Sequence, residues 1–524
     1  MRCLNVQAGL RRLGLATLLG LAGCATAPFQ PAPQPPSLAF QHPERSPLTH
    51  LLGPAAGSGR SASALRLLAT GHEAFAARAA LAEAAGHTLD LQYHIIEHDD
   101  TAILLLQRLL RAAERGVRVR LLVDDLGIGS SESDLAALAQ HPNIQVRLFN
   151  PFHWRGLVSR ALEWLGSDRR LNQRMHNKLW IADSAAAVIG GRNLGDAYFD
   201  ASPQAHFSDL DLLVAGPAVR DAAASFDVYW NGVWAVPLAT VVSAPAAGEQ
   251  ALRNLDRRAT AFLSSHYVRT LRASEYGQQL RQGTLAMIDA PARILADTPP
   301  ALPGPDDDAE SAPGKIGGIF PALRDAVQAA RREVIVVSPY FVPGERSVEM
   351  VCALVARGVA VRVLTNSLAS TDVPAVHAGY ARYRARLLAC GADLFEKRPT
   401  AAADRPRLSS GSSLHAKAVV IDRQWVLMGS MNLDARSRRL NTEVALQTDS
   451  RPLGAQLGAL FDASTTPDLV WQPVLARPGD PASALRWVGV VQGTPLTLTD
   501  EPEASLWRHA AAALLGWLID EELL

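Results

Sequence analysis

The chain repeats itself. His176-Asn177-Lys178 followed by Asp183 returns as His415-Ala416-Lys417 followed by Asp422, roughly 240 residues further on. Both copies read H-x-K-x-x-x-x-D, with a Gly 14 residues after the His and an Asn 17 after it: Gly190 and Asn193 in the first, Gly429 and Asn432 in the second. The flanking segments repeat too. LDLQYHI, TAILLLQRLLRAAERG and VRVRLLVDD are answered by EVIVVSPYF, SVEMVCALVARG and VAVRVLTNS. Each set is a β-branched run, an amphipathic run closed by a Gly (Gly116, Gly358) and a second apolar run, the pattern of a βαβ unit. At 524 residues the chain exceeds what one core usually supports. The repeat therefore predicts two similar α/β domains.

Within each quartet, His and Lys two apart on an extended segment point to the same face, whereas the Asp has the opposite parity. Asp183 and Asp422 are thus read as structural, tying a hairpin turn rather than touching substrate. Basic residues sharpen the pattern: 47 of 51 are Arg, and the four lysines are Lys178, Lys315, Lys397 and Lys417. Two of those four occupy equivalent motif positions, where a guanidinium evidently does not serve. Two histidines suit nucleophilic and acid–base work, and the lysines with Asn193 and Asn432 suit charge stabilisation of a phosphoryl group. Each His also needs a carboxylate to fix its tautomer. Asp209 in FSDLDLLV and Glu443 in LNTEVALQ follow the two motifs, with Asp211 a competitor on the same strand face.

With 51 basic and 51 acidic residues the chain has no global field to gather nucleic acid, and no nucleic-acid partner is expected. Cys352 and Cys390 sit in helical apolar patterns with no CxxC spacing, so they read as small buried hydrophobes, with neither a zinc site nor a disulfide framework supported.

These motifs resemble the phospholipase D superfamily, over almost everything from residue 62 onward. Within it, QYHI with HDDTA, SPYFVPGE, TNSLASTDVPAVHAGYARYR, FDVYWN and the C-terminal PEASLWRHAAAALLGWLIDEELL are similar to bacterial cardiolipin synthases. His94 departs from the resemblance, which leads one to expect an aromatic such as Tyr there. The resemblance implies two α/β/α domains with mixed sheets flanked by helices, related by a pseudo-twofold axis. It implies His176 as nucleophile, His415 as acid and base, and carboxylates crossing over: Asp209 to His415 and Glu443 to His176. It implies phosphatidyl transfer through a phosphohistidine with no cofactor or metal, the substrates being phosphatidylglycerol and a second phospholipid at a membrane surface. Hydrolysis to phosphatidic acid is the alternative, and a nuclease a weaker one. No protein partner is indicated.

The domain reading is residues 1–24 a signal peptide, 25–61 a Pro/Gly/Ser-rich tether, 62–243 the first domain and 244–314 a connector, then 315–475 the second domain and 476–524 an extension with an apolar helix. Arg2, Arg11 and Arg12 precede an apolar run too short to span a bilayer, which ends in Leu21-Ala22-Gly23-Cys24. That ending resembles the lipobox of bacterial lipoproteins, which implies lipidation at Cys24 and a place in the cell envelope on the periplasmic side. Ala25 and Thr26 carry no Asp retention cue, favouring the outer membrane. The apolar helix, Leu506 to Leu518, either docks on the second domain or touches membrane.

Overall fold

A computed structural model describes residues 34–48, 52, 61–156, 158–160, 163, 170–202, 206–243, 248–299, 318–399 and 413–518. The segment read as a signal peptide, with Cys24, and Lys315 lie outside them.

The first half runs β1 (Ser63–Leu68), α1 (Gly71–Ala84), β2 (Thr88–Ile95), α2 (Asp100–Glu114), β3 (Arg118–Gly127), α3 (Glu132–Leu138) and β4 (Ile144–Phe149). It continues with β5 (Leu179–Ala182), β6 (Ala186–Gly190), β7 (Phe207–Ser208), β8 (Asp211–Ala215), α4 (Ala218–Trp230) and β9 (Ala235–Pro237). Three helices follow, α5 (Gly248–Leu263), α6 (His266–Ala273) and α7 (Glu275–Gln282), and then two short strands, β10 (Ile288–Ala290) and β11 (Ala292–Ala296). The second half has α8 (Ile319–Gln328), β12 (Glu333–Val337), α9 (Gly344–Ala356), β13 (Ala360–Asn366), α10 (Pro374–Ala389), β14 (Asp393–Lys397) and β15 (Ser413–Leu414). Next come β16 (Ala418–Ile421), β17 (Trp425–Gly429), α11 (Ala435–Arg439), β18 (Val444–Asp449), α12 (Arg451–Ser464) and β19 (Val470–Leu475). The hairpin β20 (Leu485–Val491) and β21 (Thr494–Leu498) and helix α13 (Leu506–Leu518) end the described chain.

Two mixed sheets result, in spatial order β10-β1-β8-β6-β5-β2-β3-β4-β9 and β11-β18-β17-β16-β12-β13-β14-β19-β20-β21. From β1 to β4 and from β11 to β14 the orders correspond strand for strand. In each, three strands joined by helices are parallel (β2, β3 and β4; β12, β13 and β14), as a βαβ crossover requires. One apolar core joins the inner faces of both sheets, with Leu122, Ile181 and Leu212 from the first and Ile335, Leu364 and Val420 from the second. The outer faces carry separate cores beneath their own helices.

Three boundaries differ from the sequence reading. Ser37–Leu48, read as tether, is bound to the first half: Ala39 N–H donates to Asp227 (2.8 Å), Arg120 donates to the Ser37 carbonyl (2.6 Å), and Leu48 is fully buried. Its Pro and Ser content hid a few well-placed apolar side chains. The stretch read as a connector supplies an edge strand to each sheet, β10 beside β1 and β11 beside β18, so the second domain's first strand precedes residue 315. The C-terminal extension continues the second sheet through β20 and β21. Cys352 and Cys390 are also corrected: they are half-buried and form a disulfide joining α9 to α10. A separation of 38 residues carries no spacing signal; helix packing brings them together.

Candidate active site

The motif aspartates set the strands. Asp183-Ser184 and Asp422-Arg423 hold positive φ angles of 50° and 50°, then 53° and 51°, at the centres of tight turns joining β5 to β6 and β16 to β17. Asp tolerates that region better than most residues. The Asp183 carboxylate accepts N–H bonds from His87 (2.8 Å) and Thr88 (2.7 Å), and Asp422 accepts from Arg332 (2.7 Å) and Glu333 (3.0 Å). Each therefore fastens its own turn to the start of the neighbouring strand, β2 or β12, at the end of the sheet away from the histidines.

At the other end, the segment before each His leaves its own half and pairs with the segment before the opposite acid. Met175 bridges Thr442, and the His176 N–H donates to the Thr442 carbonyl (2.9 Å). Correspondingly β15 pairs in parallel with β7, and the His415 N–H donates to the Ser208 carbonyl (2.8 Å). Matching residues clamp these crossings: Asp124 accepts from Met175 N–H (2.8 Å), and Asn366 accepts from Leu414 N–H (2.8 Å).

The crossing delivers each acid to the other half's imidazole. His176 Nδ1 lies 2.9 Å from Glu443 Oε2, and His415 Nδ1 lies 2.5 Å from Asp209 Oδ2. A carboxylate only accepts, so Nδ1 carries the proton in both rings and Nε2 is left with its lone pair. Asp211 is engaged elsewhere, by Arg78 (2.9 Å) and Arg192 (3.4 Å). Lys178 Nζ donates to the His176 carbonyl (2.7 Å), and Lys417 Nζ donates to the His415 carbonyl while lying 3.1 Å from His415 Nδ1. Asn193 bridges Ile95 N–H (3.2 Å) and the Tyr198 hydroxyl (3.0 Å); Asn432 is buried in the loop after β17.

The two acids are seated differently. Glu443 accepts from the hydroxyls of Ser430 (2.5 Å) and Ser437 (2.8 Å). Asp209, one methylene shorter, faces Gly191, which stands where the second half has Ser430. A Cβ on Gly191 would lie 2.2 Å from Asp209 Oδ1, so the glycine makes room for the shorter acid's closer approach.

Burial, then the charges of Lys178, Lys417 and His415, holds His176 well below the ordinary imidazole range, and burial with Lys417 and Lys178 does the same to His415. Both rings are neutral near pH 7. Burial pushes the Asp209 carboxyl up, against Lys417 and Arg192, which hold it down. Burial also lowers the Lys178 ammonium to about 7. If that charge stabilises the reacting phosphoryl group, kcat/KM should fall as pH rises through about 7, since the lysine is charged below that pH and neutral above it. A pH series from mildly acidic to about 9 checks this, with Lys178→Arg expected to flatten the alkaline limb while lowering the plateau. A limb unchanged by that substitution would assign the titration to another group.

Tyr198, Phe207 and Lys397 escaped the sequence, and His94 was marked there only as a departure from the resemblance. Tyr198 and Phe207 wall His415, with ring centroids 5.4 and 5.3 Å away, and His94 meets His176 edge to face at 5.1 Å. Lys397, ending β14, donates to Ser208 Oγ (3.1 Å) beside Asp209, and burial lowers its ammonium to about 7. Lysine scarcity was a signal that could have found it. Among the described residues no group of His, Cys, Asp or Glu is placed to hold a metal ion.

A family model described as "Cardiolipin synthase, PLD-like domain" matches residues 78–230 and 323–464, one segment in each half and each containing one quartet. The chain belongs to the phospholipase D superfamily. This superfamily enzyme is 40% identical to cardiolipin synthase C of Escherichia coli (strain K12), over 86% of this chain and 94% of that one. It is 29% identical to cardiolipin synthase A of Pseudomonas entomophila, over 76% of this chain and 68% of that one. Among solved structures, phosphatidylserine synthase of Haemophilus influenzae Rd KW20 shares its fold, with a TM-score of 0.54 over 92% of this chain and 98% of that one, at 12% identity.

Proposed function

We propose that the enzyme is a cardiolipin synthase-type phosphatidyltransferase, moving a phosphatidyl group from one phospholipid to a hydroxyl of phosphatidylglycerol. The observation that carries the reading is the crossed pair of histidine–carboxylate contacts, which leaves two Nε2 lone pairs in one lysine-lined site. His176 Nε2 attacks the phosphorus as the P–O bond to the leaving alcohol breaks, and His415, protonated at Nε2 in the substrate complex, gives the leaving oxygen its proton. The incoming hydroxyl then returns a proton to His415 as its oxygen displaces His176 from phosphorus. Lys178 and Lys417 supply the positive charge that other phosphoryl-transfer sites draw from magnesium. Similarity to the two cardiolipin synthases supports the lipid substrate class.

Transfer exchanges one phosphodiester for another and is nearly balanced, whereas hydrolysis runs downhill, so the outcome depends on which acceptor reaches the phosphohistidine. Purified enzyme with isotopically labelled phosphatidylglycerol in mixed micelles should accumulate cardiolipin faster than phosphatidic acid. If phosphatidic acid appears at the initial rate of substrate loss and cardiolipin does not form, the protein is a hydrolase.

The same reading places the protein in the cell envelope on the periplasmic side, lipid-anchored through Cys24, and the outer membrane is favoured. A disulfide suits an oxidising compartment. Helix α13 supports contact with a lipid surface. Gly516 packs on Ala378 of α10, and Arg508 donates to the carbonyls of Leu368 (3.0 Å) and Thr371 (2.6 Å). The opposite side stays apolar and open, with Leu506 89%, Trp507 78% and Leu514 57% exposed. Cys24→Ser should remove the acyl mass from the mature protein, and adding Trp507→Asp should lower its co-sedimentation with phosphatidylglycerol vesicles by about tenfold or more. Acylation that survives Cys24→Ser rejects the anchor; unchanged sedimentation rejects the helix.

A further inference from the structure

The outer helices of the two halves are covered unequally. In the first half α5 and α7 pack over α2 and α1, and α2 is buried on nearly every side. In the second half only Val348 and Leu354 of α9 are buried. Between α8, α9 and the outer face of the second sheet lies a cavity of about 480 Å³. That is in the range of about 300–1,000 Å³ typical of small-molecule sites.

Its floor is aliphatic, with Val336, Val363 and Val419 from three adjacent strands, and its walls include Leu323 and Met350. Such a surface gives water no polar partners. Three cationic side chains stand at the rim, Arg324, Arg346 and Arg438, all exposed. Arg324 pairs with Asp325, while Arg346 and Arg438 make no ion pair among the described residues. The cavity also reaches Leu433 and Asp434, the two residues directly after Asn432. Asp434 is buried and accepts from Ser437 N–H (2.6 Å), and burial lifts its carboxyl to about 7, so at neutral pH it carries only part of a negative charge.

A ligand that fits must be apolar along its length, carry negative charge at one end, and be able to approach Asn432 with that end. We propose that this cavity receives an acyl chain of an anionic phospholipid substrate, with the phosphate-bearing end turned toward Arg438 and the loop of Asn432. The inference rests on the phospholipid reading above and gives it a place to seat hydrocarbon.

The test uses the full chain carrying His176→Ala, so that lipid is bound and not consumed, with cis-parinaric acid as a fluorescent probe. Saturable binding of one probe per chain is expected, displaced by dioleoylphosphatidylglycerol. Met350→Trp, which fills the cavity from a half-buried position, should weaken the probe at least tenfold with the thermal midpoint unchanged. Arg346→Glu with Arg438→Glu should weaken parinaric acid severalfold while sparing its uncharged methyl ester. Absence of saturable binding, binding indifferent to Met350→Trp in a folded variant, or sedimentation showing two chains joined across this face would each overturn the proposal. Product analysis on the unmodified enzyme reports separately on transferase against hydrolase, so failure of one reading is distinguishable from failure of the other.

Discussion

His176→Ala should lower kcat by about 10⁴-fold or more and leave no phosphohistidine to trap. Removing a nucleophile elsewhere costs about 10⁶-fold in the best-studied case. The neutral state of His176 is what makes it competent: burial and the lysines keep its lone pair free near pH 7. His415→Ala should separate the roles. With a phosphatidyl donor whose leaving group needs no proton, such as a nitrophenyl ester, that variant should still form a phosphoenzyme in a burst and then stall, since deprotonation of the acceptor is lost. Rapid-quench labelling with separation of the acid-labile adduct measures both. A phosphoenzyme on the His176→Ala chain would reverse the assignment.

The second large effect is expected at the carboxylates. Asp209→Asn places an amide against His415 Nδ1 where the acid now sits at 2.5 Å, and an amide NH₂ there favours the tautomer with its proton on Nε2. A comparable change in the serine-protease triad costs about 10⁴-fold in kcat. About 10³- to 10⁴-fold is expected here, and Glu443→Gln should lose as much by misdirecting His176. The two variants should fail at different steps: Glu443→Gln before phosphoenzyme forms, Asp209→Asn with the activated donor after it. Losses under tenfold in folded proteins would mean that the crossed contacts orient nothing.

Much of this architecture was legible because it occurs twice. The βαβ patterns and the two-residue spacing of His and Lys were read from period-two geometry; the structure places His176, Lys178, His415 and Lys417 on the segments just before β5 and β16, with Asp183 and Asp422 just after those strands. The crossing of acids between halves was not legible from spacing: Asp209 and Glu443 stand near their own motifs in sequence and were assigned across only by resemblance. Its physical cause is the pairing of β7 with β15 and of Met175 with Thr442, contacts between segments more than 200 residues apart. The disulfide was missed for the same kind of reason, being set by how α9 meets α10. Strands β10 and β11 were hidden by being short, separated only by Pro291, and placed between a polar helical segment and a Pro-rich loop. Lys397 was visible as one of four lysines, yet only its three-dimensional neighbour, Ser208, says what it is near.

The difference between Gly191 facing Asp209 and Ser430 holding Glu443 bears on how a duplicated chain can change afterwards. Adding a side chain at residue 191 alone collides with the existing carboxylate, whose Oδ1 stands 2.2 Å from where the new Cβ would be. Converting the first half to the arrangement of the second therefore cannot begin at residue 191, because that single step passes through a damaged protein. Such epistasis makes the divergence of the halves hard to undo. Two sites that began as copies are held apart by a pair of residues, and mutational paths that would make them interchangeable again are closed one substitution at a time.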